Sequence, residues 1–131
     1  MTPMTATVTT GAEVPCRVEL SSNKTLVFDH PGPDSDGMMG PTSTEGVSAA
    51  LASCTAVTLG IYAERKGWNL EDLGVEVMTT YEGPNPSEIN VRITWPGHLD
   101  RDQVEKLEKI AGKCPVHRLL TEPTTVEIES V

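Results

Sequence analysis

The sequence predicts a single α+β domain, residues 1–131, in which an antiparallel sheet packs against a central cysteine-bearing helix and a second helix. Three observations support this prediction. A length of 131 residues is typical of one domain. Short segments with alternating apolar residues are separated by turn residues, as in β-hairpins. Two longer segments carry apolar residues at three- and four-residue spacing, as in helices with one buried face.

The first predicted elements form a hairpin near the N-terminus. Apolar residues alternate with polar ones along the first strand, and we expect the following to point inward: Val14, Cys16, Val18 and Leu20. The turn residues 21–24 precede a returning strand, Thr25–Phe28. Residues 29–41 are rich in Gly, Pro and Asp and are predicted to form a loop. Met38 and Met39 in this loop are candidates to line an apolar site.

A long helix is predicted from Ser43 to Lys66. Thr42 and Glu45 have the spacing of a capping box, and Gly67 follows the last turn as a stop signal. The predicted buried stripe consists of Val47, Ala50, Leu51, Cys54, Val57, Thr58, Ile61 and Tyr62. Many other residues of this helix are small, so a second backbone could approach it closely.

A second hairpin is predicted after this helix. Alternating apolar residues mark strands over residues 75–81 and 89–95. Residues 83–86, with the sequence Gly-Pro-Asn-Pro, are predicted to form the loop between the two strands.

The last part of the chain predicts another helix and a final strand. Asp100 and Gln103 have the spacing of a capping box at the start of a helix over residues 100–113. Apolar residues at helical spacing give this helix one buried face. Val126 and Ile128 alternate with polar residues and are predicted to lie in a C-terminal strand.

The composition of the chain argues against two classes of binding partner. The formal net charge of −9 argues against nucleic acid and anionic membrane surfaces. We expect no apolar run to be long enough for a membrane span. The N-terminal residues lack the features of a signal peptide, so we expect a cytoplasmic protein. Only 4% of the residues are aromatic, which predicts a thin core whose apolar face is completed by a second copy of the chain.

Cys114 is the first candidate reactive residue. It precedes Pro115, which disfavours helical geometry at Cys114 and favours the first position of a new helix. We therefore expect Cys114 to be the N-cap of a short helix over residues 115–120. Free amides and the positive end of the helix dipole stabilise a thiolate at such a position. The alternative is a small buried residue at a corner between two helices.

Cys54 lies 60 residues earlier (114 − 54), in the middle of the long helix. A buried cysteine most often packs as a small hydrophobic residue, and burial raises the pKa of a thiol. A reactive Cys54 would therefore need a cation or hydrogen-bond donor from elsewhere in the fold. Cys16 on the first strand is predicted to be a core residue.

Neither a metal nor a bound cofactor is expected. Cys114 and His117 supply only half of a zinc ligand set, and no second cysteine or histidine pair completes it. The sequence contains no P-loop, no dinucleotide-binding fingerprint and no nucleophile elbow.

Three segments carry a resemblance to a known family. They are Pro41 to Thr55, with its alanine-rich cysteine helix; residues 62–68 (Tyr-Ala-Glu-Arg-Lys-Gly-Trp); and residues 110–117, which end in Cys-Pro-Val-His. In this order the chain resembles the OsmC/Ohr family, the osmotically inducible protein C and organic hydroperoxide resistance proteins. The resemblance covers the chain from about Leu26 to its end and is stronger to the broad OsmC-like branch.

The resemblance implies an intertwined homodimer that reduces hydroperoxides with thiols. By that analogy Cys54 is the peroxidatic thiolate, which attacks the peroxide and becomes a sulfenic acid. The sulfenic acid then condenses with Cys114 to a disulfide. A dithiol reductant, of the lipoyl type in the Ohr branch, would restore both thiols by exchange.

The family resemblance also suggests two supporting residues. In peroxidase branches an Arg and a Glu hold the reactive thiolate, and the Glu lies ten residues before the cysteine. This chain has Thr44 at that position and Glu45 one residue later, and its only arginine before the cysteine helix is Arg17. Glu45 and Arg17 are therefore the candidates for these roles, with Arg118 beside Cys114 as a further cation.

Two other functions are compatible with the sequence. The same dimer could bind a small thiol or a lipid-like ligand in an apolar pocket without turnover. It could also be a scaffold with inert core cysteines. The peroxidase differs from both in requiring an ionised thiol and a bond between Cys54 and Cys114.

Overall fold

The computed structural model describes residues 3–9, 11–30 and 40–131. Antiparallel strands and helices are present in both halves, which confirms the α+β prediction. The chain divides into two compact units, Met1–Val47 and Ser48–Val131, and the long helix crosses the boundary between them. A single domain over residues 1–131 therefore stays a prediction.

The N-terminal unit contains a three-stranded antiparallel sheet. Its strands are β1 (Ala6–Thr7), β2 (Cys16–Leu20) and β3 (Thr25–Phe28), in the order β1-β2-β3. The predicted hairpin of β2 and β3 is confirmed, with a turn in which Asn23 takes a left-handed φ of 63°.

The inward face predicted for the first strand is only partly correct. Cys16 and Val18 are half-buried on one face of β2, and Cys16 lies opposite Phe28 on β3. Val14, however, precedes β2 and is 63% exposed, because the ladder that would bury it begins only at Cys16.

The long helix α1 (Ser43–Lys66) has the predicted bounds. The backbone amide of Glu45 donates to the Thr42 hydroxyl over 3.1 Å, and the Thr42 amide donates to the Glu45 carboxylate over 3.0 Å. These two hydrogen bonds form the predicted capping box. Close packing on β3 also fixes this helix start, since a Cβ placed on Gly46 would lie 2.5 Å from the Phe28 ring.

The predicted buried stripe of α1 is wrong in part. The residues that α1 buries fully recur every four positions: Leu51, Thr55, Leu59 and Ala63. Val57 and Ile61, which belonged to the predicted stripe, are 60% and 49% exposed. The helix is apolar around most of its circumference, so hydrophobic spacing alone did not identify the face that packs.

The C-terminal unit begins with a two-stranded antiparallel hairpin. Its strands are β4 (Gly74–Glu82) and β5 (Asn85–Thr94), joined at Gly83 and Pro84. The loop is two residues shorter than predicted because Asn85 and Pro86 pair with the end of β4. Gly83 supplies the left-handed φ of 60° that this tight turn uses.

Two further helices complete the C-terminal unit. Asp100 and Gln103 form the predicted capping box at the start of α2 (Arg101–Ala111). The short helix α3 (Pro115–Thr121) follows. The buried core of this unit consists of Leu59 and Ala63 of α1 and Leu107 of α2. Larger, partly buried side chains pack against this core: Tyr62, Trp68, Leu70, Leu73, Ile93, Trp95, Leu99 and Ile110.

Two details of the predicted sheet are wrong. The described strands form two separate sheets, one of three strands and one of two, rather than a single sheet. The predicted C-terminal strand is absent: Val126 and Ile128 are extended without ladder partners and are 86% and 96% exposed. An alternating pattern specifies a strand only where another strand accepts its hydrogen bonds, and none does so within the described ranges of this chain.

Helix α1 is also long and apolar enough, by length and composition, to cross a membrane. It is the one such helix in residues 3–9, 11–30 and 40–131. This corrects the expectation that no apolar run approaches that length. Core helices of soluble proteins meet the same criteria, so the finding does not assign the chain to a membrane.

Candidate functional site: a cysteine pair

The C-terminal unit brings Cys54 and Cys114 together. Cys54 lies in the middle of α1 and Cys114 immediately before α3, and their side chains are close enough for each to shift the pKa of the other. Both are free thiols. Cys54 is half-buried, whereas Cys114 has no exposed surface. Cys16, the third free thiol, belongs to the N-terminal unit.

Local sequence explains the position of Cys114. Pro115 occupies the first turn of α3, and Cys114 takes an extended conformation with φ −57° and ψ 132°. Its sulfur accepts a hydrogen bond from the backbone amide of His117 over 3.4 Å. Cys114 is therefore the N-cap of α3, as predicted from the Cys-Pro step.

Two opposing influences act on the Cys114 thiol. Burial alone would raise its pKa, because the thiolate loses its hydration. Hydrogen bonds from Cys54, from the amides of His117 and Val116 and from the Thr55 hydroxyl favour the thiolate. Together they outweigh burial and bring the pKa of Cys114 below its ordinary value.

The pKa of Cys54 shifts in the opposite direction. Burial, followed by the interaction with Cys114, raises the pKa of the Cys54 thiol. A hydrogen bond from the amide of Val116 and one from the Thr58 hydroxyl act against this rise without cancelling it. Cys114 is therefore the thiol of the pair with the lower pKa, and it ionises before Cys54 as the pH rises.

These opposite shifts predict two distinct titrations. With only Cys114 present, in the double variant Cys16→Ser/Cys54→Ser, the amides of His117 and Val116 remain as donors, so thiolate absorbance should appear at lower pH than for Cys54 alone. With only Cys54 present, in Cys16→Ser/Cys114→Ser, it should appear at higher pH. Deprotonation creates the thiolate, so a lowered pKa places its charge at lower pH. The reverse order of the two titrations would contradict this assignment.

Sequence reasoning missed Thr55 and Thr58. Thr55 follows Cys54 directly and Thr58 lies one helical turn after it, so both spacings were visible. The Thr55 hydroxyl was not recognised as a donor because Cys114, on which it acts, is distant in sequence.

Arg17 and Glu45, the two predicted supporting residues, do not belong to the compact unit that contains the cysteine pair. Arg17 lies on the exposed face of β2, and the Glu45 carboxylate caps α1; both belong to the N-terminal unit. Their predicted roles beside Cys54 are untested. Arg118 of α3 pairs with Glu122 over 3.4 Å on the surface. Met38 and Met39 lie outside the described residues.

Two cavities of the C-terminal unit are lined in part by His117, whose backbone amide donates to Cys114. One, of about 360 Å³, is lined mainly by apolar side chains, among them Leu51, Ile89, Val91 and Leu120. The other, of about 250 Å³, is lined by residues that include Thr55 and Glu108. His117 and Val91 line both cavities.

No metal-binding cluster of three or more His, Cys, Asp or Glu side chains occurs among residues 3–9, 11–30 and 40–131. The chemistry that this part of the chain offers is therefore that of two adjacent thiols. Such a pair can ionise, become oxidised and form a disulfide.

Fold and site together define a small α+β protein with a paired-thiol centre. The family described as OsmC-like protein matches residues 32–129, which is most of the chain. The protein belongs to this family, and the resemblance noted from the sequence is confirmed. No curated protein sequence matches the chain.

Solved structures of the family share the fold. A candidate osmotic stress induced and detoxification response protein of Psychrobacter arcticus superposes with a TM-score of 0.73 at 23% identity, over 93% of this chain and 90% of that one. An OsmC-like protein of Mycoplasma pneumoniae superposes with a TM-score of 0.70 at 16% identity, over 92% of this chain and 86% of that one. The organic hydroperoxide resistance protein OhrB of Bacillus subtilis superposes with a TM-score of 0.60 at 21% identity, over 90% of this chain and 91% of that one.

Proposed function

We propose that this protein is a thiol-dependent peroxidase that reduces organic hydroperoxides through Cys54 and Cys114. The observation that carries the proposal is the proximity of the two free thiols, one of them at a helix N-cap. Similarity to proteins described as organic hydroperoxide resistance proteins supports the choice of substrate.

In the proposed first step, Cys54 attacks the distal oxygen of the peroxide. Cys54 is the accessible thiol of the pair, since Cys114 is completely buried. The Cys114 thiolate takes the proton of Cys54 as the attack begins, which leaves the negative charge on the attacking sulfur. The peroxide O–O bond breaks, the alkoxide takes up a proton from solvent and leaves as an alcohol, and Cys54 becomes a sulfenic acid.

In the second step, Cys114 attacks the sulfenic acid sulfur, and a disulfide and water form. The overall reaction converts two thiols and one hydroperoxide into one disulfide, one alcohol and one water. A dithiol, such as one of the lipoyl type, then restores both thiols by disulfide exchange.

A homodimer is part of this proposal. One face of α1 carries apolar side chains without a partner in the described chain: Ala50, Val57 and Ile61 are exposed, and the half-buried Cys54 lies among them. A second copy that packs on this face would bury those apolar side chains. Support of the Cys54 thiolate by Arg17 and Glu45, and a cytoplasmic location, are further proposed on the resemblance and the composition.

A second candidate function is ligand binding without turnover. The apolar cavity of about 360 Å³ favours it, because that volume lies within the range of small-molecule sites. A small thiol or a lipid-like molecule would suit its walls of Leu51, Ile89, Val91 and Leu120. This function predicts binding that does not change the oxidation state of either cysteine.

Thiol counting after one equivalent of cumene hydroperoxide separates the two functions. The peroxidase should lose two thiols rapidly and form a Cys54–Cys114 disulfide, mapped by mass spectrometry, that a dithiol reverses. The matched control is Cys16→Ser, which should lose the same two thiols. If three thiols still titrate with unchanged mass, the peroxidase is excluded and ligand binding becomes the working function.

A further inference from the structure

His117 contacts Cys114 through its backbone and also lines both cavities of the C-terminal unit. Its backbone amide donates to the Cys114 sulfur over 3.4 Å, and its backbone carbonyl accepts a hydrogen bond from the Thr121 hydroxyl over 2.8 Å. Both backbone groups are therefore engaged within α3 and its N-cap. The polar atoms of His117 that remain to meet a ligand in either cavity are the two nitrogens of its imidazole.

The imidazole of His117 has no hydrogen-bond or ion-pair partner within residues 3–9, 11–30 and 40–131. In the same ranges no fully buried side-chain nitrogen or oxygen is left without a partner, so the ring nitrogens of this half-buried residue are accessible. At least one of the two nitrogens carries a hydrogen whether the imidazole is neutral or charged. The ring can therefore donate a hydrogen bond to a molecule in the cavity.

The other polar side chains of the apolar cavity have no hydrogen to spare. The Ser87 hydroxyl donates to the Thr80 carbonyl over 3.1 Å. The Thr121 hydroxyl already donates to the carbonyl of His117. Glu88, when ionised, accepts hydrogen bonds and donates none. The remaining side chains are apolar: Leu51, Pro86, Ile89, Val91 and Leu120. Among the described side chains of this cavity, His117 is therefore the one with a donor available to a ligand.

The apolar cavity also lies close to Cys54 along α1. Leu51 lines the cavity and precedes Cys54 by three residues (54 − 51). Helical residues at this spacing are neighbours, with about 5–6 Å between their Cβ atoms. A hydroperoxide whose apolar group fills the cavity therefore lies within one helical turn of Cys54 and against the residue that bonds to Cys114.

We propose that the His117 imidazole donates a hydrogen bond to the peroxide oxygen that leaves as the alkoxide when Cys54 attacks. The inference rests on the proposed peroxidase and adds a catalytic residue to its first step. The Cys54 sulfur forms a bond to the distal oxygen, which keeps its hydrogen as the sulfenic acid, while the O–O bond breaks. Two electrons pass from sulfur to the leaving oxygen, and the imidazole stabilises the charge that develops there until that oxygen takes a proton from solvent.

The test compares two oxidants that share a phenyl ring and differ in their leaving group. Cumene hydroperoxide releases an alkoxide, which gains from a donor, whereas perbenzoic acid releases a carboxylate, which is stable without one. His117→Phe keeps a ring and removes the N–H. It should lower the rate of Cys54 oxidation by cumene hydroperoxide about a hundredfold, the usual effect of losing one such donor. The rate with perbenzoic acid should stay close to that of the wild-type protein. Thiol loss in a single turnover without reductant measures both rates.

His117→Gln is the matched variant that keeps a donor, because its side-chain amide carries N–H groups. It should retain most of the wild-type rate with cumene hydroperoxide, whereas a purely structural role of the ring would leave it more impaired than His117→Phe. Both variants keep the backbone amide that bonds to Cys114, and both keep Glu88 and Glu108, the carboxylates that line the cavities with His117. Alkylation of Cys54 by iodoacetamide, in which no oxygen leaves, should therefore proceed at the wild-type rate. Circular dichroism checks folding, and His117→Leu replaces His117→Phe if the latter does not fold.

Two results would overturn the inference on His117 alone. His117→Phe could lose the same factor with both oxidants, or it could react like the wild-type protein with both. In either case a wild-type protein that consumes cumene hydroperoxide would still be a peroxidase. A wild-type protein that does not react with cumene hydroperoxide would overturn the peroxidase and the role of His117 together.

Discussion

Replacing Cys54 with serine is expected to lower hydroperoxide consumption by at least about a thousandfold, because it removes the proposed nucleophile. A serine hydroxyl is hardly ionised near neutral pH and cannot form a disulfide. Serine can still accept the hydrogen bonds that the Val116 amide and the Thr58 hydroxyl give to Cys54, so the fold should be preserved. Consumption of cumene hydroperoxide with excess dithiol measures the effect.

The matched control for this variant is Cys16→Ser, which removes a thiol from the N-terminal unit. It should cost some stability and little activity. Wild-type turnover in Cys54→Ser would remove Cys54 from the mechanism, and a comparable loss in Cys16→Ser would show that the third thiol had been misassigned.

Replacing Cys114 with serine is expected to stop the enzyme after one turnover. Without the second thiol, the Cys54 sulfenic acid has no partner in the pair and is oxidised further to the sulfinic acid, which a dithiol does not reduce. The first attack should also be slower, because serine does not accept the Cys54 proton as a thiolate does.

Intact mass after graded additions of hydroperoxide measures this outcome. The Cys114→Ser protein should gain two oxygen atoms on Cys54, whereas the wild-type protein should lose two hydrogens as the disulfide forms. Steady turnover of Cys114→Ser with dithiol, at the wild-type rate, would show that an external thiol resolves the sulfenic acid and that Cys114 has no part in the cycle.

Local signals in the sequence predicted the element bounds well. Both ends of α1 were predicted, from the capping box of Thr42 and Glu45 and from the stop at Gly67. The Cys-Pro step predicted that Cys114 is an N-cap. Each of these features depends on residues within one turn of the element. The sequence therefore contains all the information that such an assignment needs.

Features that depend on distant residues were predicted less well. The buried face of α1 was misplaced because nearly every side of the helix is apolar, and the neighbouring elements decide which side packs. The C-terminal strand was wrong because strand pairing needs a partner. The proximity of Cys54 and Cys114 was implied by family resemblance, and the bond from Thr55 to Cys114 depends on that proximity.

The unequal exposure of the two sulfurs would give the proposed disulfide a direction. Cys54 is half-buried and Cys114 is completely buried, so a reducing thiol that approaches the oxidised pair meets the Cys54 sulfur first. The mixed disulfide then forms on Cys54, and Cys114 is the leaving group. A thiol with a lower pKa leaves faster in such an exchange. In the proposed cycle, the amides at the start of α3 that lower the pKa of Cys114 would therefore also speed the regeneration of the pair.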